Sequence, residues 1–142
     1  MASVTVRKAD PTDAAFFAEL VSQLGYPAAA DEVRGRMEQL ERDGQSLLVA
    51  ELDGEPAGVA VIQISPALIN EAPTCRLAVI VVAKQARRQG VGRALTLAVE
   101  EEARRSGCNR IVLESGTWRD EAHNFYRAVD YESIALGFQK QL

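Results

Sequence analysis

Apolar positions recur along this chain with two different periods, and the changes of period divide it into elements. Val4 and Val6 alternate with polar neighbours as a short opening strand that ends at Lys8-Ala9. Asp10-Pro11-Thr12-Asp13 then reads as a helix start: a capping Asp, Pro at the first helical position and an acid in the first turn. Phe17, Leu20, Val21 and Leu24 fall three and four apart and make one apolar helical face, which Gly25-Tyr26-Pro27 ends. A more polar helix follows over about Ala29–Arg42, with Val33, Met37 and Leu40 as its stripe.

The period then shortens. Ser46–Leu52 is predicted as a strand, Asp53-Gly54 as a hairpin turn, and Pro56–Ile64 as the returning strand. After a looser stretch, Ala67–Pro73, comes the most apolar run of the chain, Leu77–Ala83, which predicts a central strand covered on both faces. Val91–Ser106 carries Val91, Leu95, Ala98, Val99 and Ala103 on one side, with Arg104 and Arg105 where the helix dipole favours cations and Gly107 as the stop. Arg110–Glu114 returns as a strand, completing a strand–helix–strand unit of crossover length. A short helix around Glu121–Ala128 and a last strand or strand pair, Tyr131–Gln141, finish the chain. The pattern predicts one mixed α/β domain whose antiparallel front half meets a parallel βαβ unit.

Composition narrows the class without choosing a function. The chain has 142 residues, of which 47% are hydrophobic and 25% charged, values typical of one globular domain with a single core. No window approaches the roughly 18 uninterrupted apolar residues of a membrane helix. The opening MASVTVRKADPTD lacks the apolar centre of a signal peptide, so the cytoplasm is the default expectation. Cys75, Cys108 and a single histidine make a poor disulfide framework and a poor metal site, and no metal is expected. A net charge of −4 argues against nucleic acid or an anionic membrane as partner and suits a cationic substrate such as an amine.

The chemistry concentrates between the apolar strand and the best helix, at Arg87-Arg88-Gln89-Gly90-Val91-Gly92-Arg93. Two glycines one residue apart, directly before a helix, let backbone N–H groups converge on one point that the helix dipole makes positive. Arg87, Arg88 and Arg93 add full charges, and arginine grips phosphate with two bonds. The plain alternative is a tight turn with solvated arginines. A P-loop would need Gly-Lys-Ser/Thr, and a dinucleotide fold a third glycine with an acid some 20 residues on. Neither is here.

At this loop the sequence resembles the GNAT superfamily of N-acetyltransferases, whose pattern Arg/Gln-x-x-Gly-x-Gly/Ala after an apolar strand is matched by Arg87, Gly90 and Gly92. The order of elements resembles that family over the full length. The late family motif Asn-x-x-Ala-x-x-Phe-Tyr-x-x-x-Gly-Phe is echoed by Arg119, Ala122, Phe125, Tyr126, Asp130 and Tyr131. Arg119 stands in place of an asparagine, and Asp130 in place of a glycine. The resemblance implies a single GNAT-type domain over residues 1–142, a mixed six- to seven-stranded sheet with about four helices, and acetyl-CoA as acetyl donor.

The same resemblance implies roles for individual residues. Ile80, Val81 and Val82 would meet the donor along the strand, with the backbone N–H of Val82 polarising the thioester carbonyl. Arg87, Arg88, Gln89, Gly90, Val91, Gly92 and Arg93 would hold its pyrophosphate, and Arg119 another of its polar groups. Tyr126 matches the position that supplies a proton to the leaving thiolate or positions the CoA sulfur, the plain alternative being a helix tyrosine packed on the core. For the base, Glu114 is the first candidate, acting directly or through water, and Glu71 the second. His123 reads as packing or capping and Phe125 as core, while Trp118 either lines the acceptor pocket or covers the core. The expected function is direct acetyl transfer to a primary amine, with a small molecule favoured over a protein amino group as acceptor. The rivals are a non-catalytic acyl-CoA-binding or regulatory module and a generic nucleotide binder. A homodimer through the exposed edge of the last strands is the expected assembly.

Overall fold

A computed structural model of the chain describes residues 2–142, which form two compact units, one up to Val112 and one over Leu113–Leu142. The first unit holds strands β1 (Val4–Lys8), β2 (Ser46–Leu52), β3 (Glu55–Ser65), β4 (Thr74–Val82) and β5 (Ile111–Val112), hydrogen-bonded in sequence order into one sheet. The first four pair antiparallel and β4–β5 is parallel. Helices α1 (Ala14–Gln23) and α2 (Ala30–Arg42) join β1 to β2, and α3 (Val91–Arg105) crosses from β4 to β5.

The chain enters α1 through a short 3-10 turn, Pro11–Asp13, closed by a capping box. Asp10 accepts from the Thr12 N–H at 2.9 Å, and its own N–H donates to Asp13 at 2.7 Å. The buried Asp13 carboxylate also takes both terminal nitrogens of Arg7, each at 2.9 Å, a fork that fixes β1 against the start of α1. Hydrogen bonding from Arg7 holds the Asp13 carboxyl below the usual carboxylate range.

The core is the apolar interior of this sheet with the buried stripes of its helices. Phe17 and Leu20 of α1, Val33 and Met37 of α2, and Val91, Leu95, Val99 and Ala103 of α3 are all buried. Ala98 and Leu40, expected with them, are only half-buried. Close approach of α3 to the sheet depends on Gly58 of β3. A side chain there would meet Val91 at 3.0 Å, and Leu95 and the Val81 carbonyl oxygen at 3.1 Å each. Burial raises the Cys75 thiol to about 11, with smaller contributions from Cys108 and Glu102, and makes it an inert core group.

The regular ladder of β4 is interrupted twice. β5 pairs with it only at Cys75 and Arg76. The β3–β4 register then slips between Val61 and Ile62, which face Val79 and Leu77 and leave Ala78 as an extra residue in a bulge. Beyond Arg76, β4 has a strand of this unit on one side only.

In the second unit, α4 (Asp120–Ala128) follows the segment Leu113–Arg119. Tyr126 is buried, with the rings of Phe125 and Tyr131 centred 5.7 and 6.1 Å from its own. Asp130, at φ 71°, takes the left-handed turn after α4, a conformation Asp adopts at lower cost than most side chains.

Three expectations need correction. The sheet has five strands among the described residues, rather than six or seven. The last strand predicted over Tyr131–Gln141 is absent: these residues join no ladder, and Ile134, Leu136 and Phe138 are exposed. Alternation supplies one apolar face, but a strand exists only where a neighbour completes its hydrogen bonds. The return strand is two residues long instead of spanning Arg110–Glu114, because the parallel ladder stops at Arg76 and Val112.

Candidate functional site

The candidate groups of the first unit are made of backbone. Ala83 donates its N–H to the Ala57 carbonyl at 2.8 Å, extending the β3–β4 ladder by one bonded pair. Bonded and non-bonded pairs alternate in an antiparallel ladder, so Val81 directs its N–H and C=O at β3 while Ile80 and Val82 direct theirs away. A long contact of 3.5 Å from Arg87 Nε to the Val82 carbonyl oxygen is in keeping with that direction. Ile80 and Val82 therefore offer donors and acceptors along the side of β4 that β5 leaves open. Val81 does not: its side chain is buried and its polar groups serve the ladder.

The loop after β4 runs through a 3-10 turn, Lys84–Ala86, to an extended Arg87. Arg88 at φ 63° and Gly90 at φ 85° are both left-handed, and the two reversals bring the chain onto the start of α3. A Cβ on Gly90 would meet nothing within 4 Å, so its requirement is the dihedral angle and not space. No side chain caps α3. The first intrahelical bond runs from Ala94 to the Gly90 carbonyl at 3.0 Å, which leaves the N–H groups of Val91, Gly92 and Arg93 without an intrahelical acceptor. Arg87, Arg88, Gln89 and Arg93 are exposed around this end. Uncapped donors, a helix dipole and three guanidinium groups are the chemical elements from which an anion site is built.

The candidate groups of the second unit are side chains on α4 and the segment before it. Burial raises the Tyr126 phenol above its ordinary value, and the Arg119 guanidinium, by charge and hydrogen bonding, pulls it partly back. Arg119 is the N-cap residue of α4 and caps nothing with its side chain. The structure thus couples it to Tyr126. His123 lies 2.8 Å through Nε2 from the Gly116 carbonyl, a position in which Nε2 must carry the proton, so the ring is a clamp on the preceding loop. Trp118 does not cover the core: it is 78% exposed. Glu114 is exposed and lies outside any strand. Glu71 is placed elsewhere, in the β3–β4 connection, where it lines a depression of about 310 Å³ with Ile64, Ser65, Pro66, Ala67 and Pro73.

Sequence reasoning missed two glycines. Gly58 sits inside a strand, a recognised sign of close backbone approach. Gly116 lies beneath the Trp118 ring, where a Cβ would come within 2.7 Å of it. Its signal was a lone glycine before an aromatic residue, which is weak.

The sequence pattern of the Acetyltransferase (GNAT) family matches residues 14–131, most of the chain. The chain belongs to the GNAT acetyltransferase family. Its enzyme class, an acyltransferase, follows from that membership. The match runs from the first unit into the second. An aminoglycoside N(6')-acetyltransferase type 1 from Stenotrophomonas maltophilia is 33% identical over 133 residues, covering 90% of this chain and 86% of that protein. Among solved structures, a transcriptional regulator from Bacillus halodurans superposes with a TM-score of 0.89 at 20% identity, covering 99% of this chain and all of the other. An aminoglycoside N-acetyltransferase in complex with CoA superposes with a TM-score of 0.84 at 20% identity, covering 100% and 97%. These two likenesses show that the chain shares the fold of both. No helix among the described residues is long and apolar enough to cross a membrane.

Proposed function

We propose that this GNAT protein is an acetyl-CoA-dependent N-acetyltransferase that moves acetyl directly onto a primary amine of a small molecule. The observation that carries the reading is the uncapped start of α3, ringed by Arg87, Arg88 and Arg93 and following directly on the open edge of β4. Bound acetyl-CoA would supply the acetyl thioester. The chain's own groups then have five tasks. The N–H groups at Val91–Arg93, with Gln89, Gly90 and the arginines, hold the pyrophosphate. The outward backbone groups of Ile80 and Val82 align the arm, and the Val82 N–H faces the developing charge on the carbonyl oxygen.

Tyr126 delivers a proton to the departing thiolate. With its pKa raised by burial, the phenol is present in its protonated form throughout the neutral range. Arg119 acts on Tyr126 in this scheme, rather than on the donor. Glu114, directly or through water, takes the proton from the attacking amine. The acidic net charge, and the S. maltophilia relative whose name records an aminoglycoside acceptor, both support a small cationic amine.

The test is a thermal-melt titration with acetyl-CoA, CoA, ATP and NAD, on wild type and Gly92→Glu. Acetyl-CoA and CoA should raise the melting point with concentration, ATP and NAD should not, and the glutamate variant should lose the response. A thiol-release assay over a panel of amines then reads transfer. Equal weak responses to all four ligands would sink the donor assignment and with it the enzyme mechanism.

A further inference from the structure

Trp118 is the one tryptophan of the chain, and its exposure of 78% is unusual for so large an apolar side chain. The ring is nonetheless seated. Its six-membered edge lies on the backbone of Gly116, where a Cβ would stand 2.7 Å from Cη2 and Cζ2 and 2.9 Å from Cε2. Gly116 is itself pinned, since its carbonyl accepts the Arg119 N–H at 3.1 Å and lies 2.8 Å from the His123 ring. A loop held from α4 therefore supports the indole from one side and leaves the other to solvent. Such a seat costs little further order when a ligand stacks on it.

The surroundings favour a cation. Asp120 and Glu121 follow Trp118 closely in the chain and are exposed, and the charge of the intervening Arg119 bears on the Tyr126 hydroxyl. An indole face attracts an ammonium group through its quadrupole, more strongly than phenol or benzene rings do. The amine that attacks a thioester must, however, be neutral. One amine cannot be both the nucleophile and the held cation.

We propose that Trp118 is an acceptor-binding residue, and that the preferred acceptor carries at least two amines, one attacking and one held as ammonium against the indole. This rests on the acetyltransferase reading above and adds the class of acceptor and the residue that selects it.

Because the chain has a single tryptophan, its emission excited at the red edge of indole absorption reports on this ring alone. The probes are kanamycin and spermidine as alicyclic and aliphatic polyamines, with glucosamine and ethanolamine as monoamines, each titrated with and without CoA. At least one polyamine should change the emission saturably, and the monoamines should not. In transfer assays, Trp118→Ala should raise KM for that polyamine about tenfold with kcat nearly unchanged, and leave monoamines unaffected. Trp118→Phe should fall between. Gly116→Ala, which displaces the ring but keeps the fluorophore, should weaken polyamine binding in the same direction. The CoA melting shift, retained in each variant, shows that the fold and donor site persist.

The inference is overturned if neither polyamine alters the emission. It also falls if Trp118→Ala and Trp118→Phe keep the wild-type KM, if monoamines lose as much as polyamines, or if only CoA alters the emission. The emission titration needs no turnover, so the two readings separate. A polyamine response without any CoA melting shift would keep the binding residue and remove the acetyl donor, and the reverse result would do the opposite.

Discussion

The loop at Arg87–Arg93 and the segment from Glu114 to Tyr126 are built on opposite principles. In the first, the proposed function rests on main-chain groups: N–H donors at the start of α3, two left-handed residues that orient them, and the outward-facing links of β4. In the second it rests on side chains: a buried phenol whose pKa an arginine lowers, a histidine clamped to a carbonyl, an indole seated on a glycine. A backbone site tolerates many side chains but no change of path. A side-chain site keeps its path and loses its chemistry with one atom. The loop at Arg87–Arg93 is accordingly expected to be general, and the segment from Glu114 to Tyr126 particular to this chain.

The largest expected effect tests the backbone side. Gly92→Glu sets a carboxylate among the helix N–H groups and should weaken CoA binding by about 100-fold or more, read as a lost melting shift. A variant that binds CoA normally would mean the phosphates lie elsewhere. On the side-chain side, removing the Tyr126 hydroxyl with Tyr126→Phe should lower kcat by about 100-fold while acetyl-CoA affinity holds. An unchanged rate would remove the phenol from the mechanism.

Gly58→Ala probes the packing under α3. It should cost about 1–3 kcal/mol in denaturant unfolding, since Val91, Leu95 and the Val81 carbonyl must give way. A neutral result would mean α3 shifts freely and does not fix the anion site. Arg119→Gln should change kcat only a few-fold at neutral pH. Its signature is the alkaline limb of the rate profile. Tyr126 works protonated, burial raises its pKa and Arg119 lowers it, so losing the guanidinium should move that limb to higher pH. A limb that stays or falls would dissociate the pair. Smallest of all, Val82→Ala keeps the backbone and should alter kcat by no more than about twofold. A large loss there would show that the side chain, and not the N–H, matters.

How much of this was legible depends on how local each cause is. The capping run Asp10–Asp13, the hairpin turn at Asp53-Gly54 and the Gly90–Gly92 loop are local, and the structure has a cap, a turn and a helix start in those places. The family pattern then extended the local reading to Tyr126. The strand over Tyr131–Gln141 failed because alternation specifies a face without specifying a partner. The length of β5 failed for the same reason, since it ends where β4 ceases to pair with it.

By itself, the sequence determined the periods, the caps and the glycine spacing, because those depend on a few neighbouring residues and on dihedral sterics. Only the tertiary structure decided which backbone groups of Ile80, Val81 and Val82 are available, through the bonded pair at Ala57 and Ala83 and the alternation it imposes. Only tertiary contacts brought the charge of Arg119 to bear on Tyr126, made His123 a clamp and left the Trp118 ring facing solvent above Gly116. These outcomes depend on where a side chain ends after the loop and helix around it have packed, and that is a property of the assembled neighbourhood rather than of residue spacing.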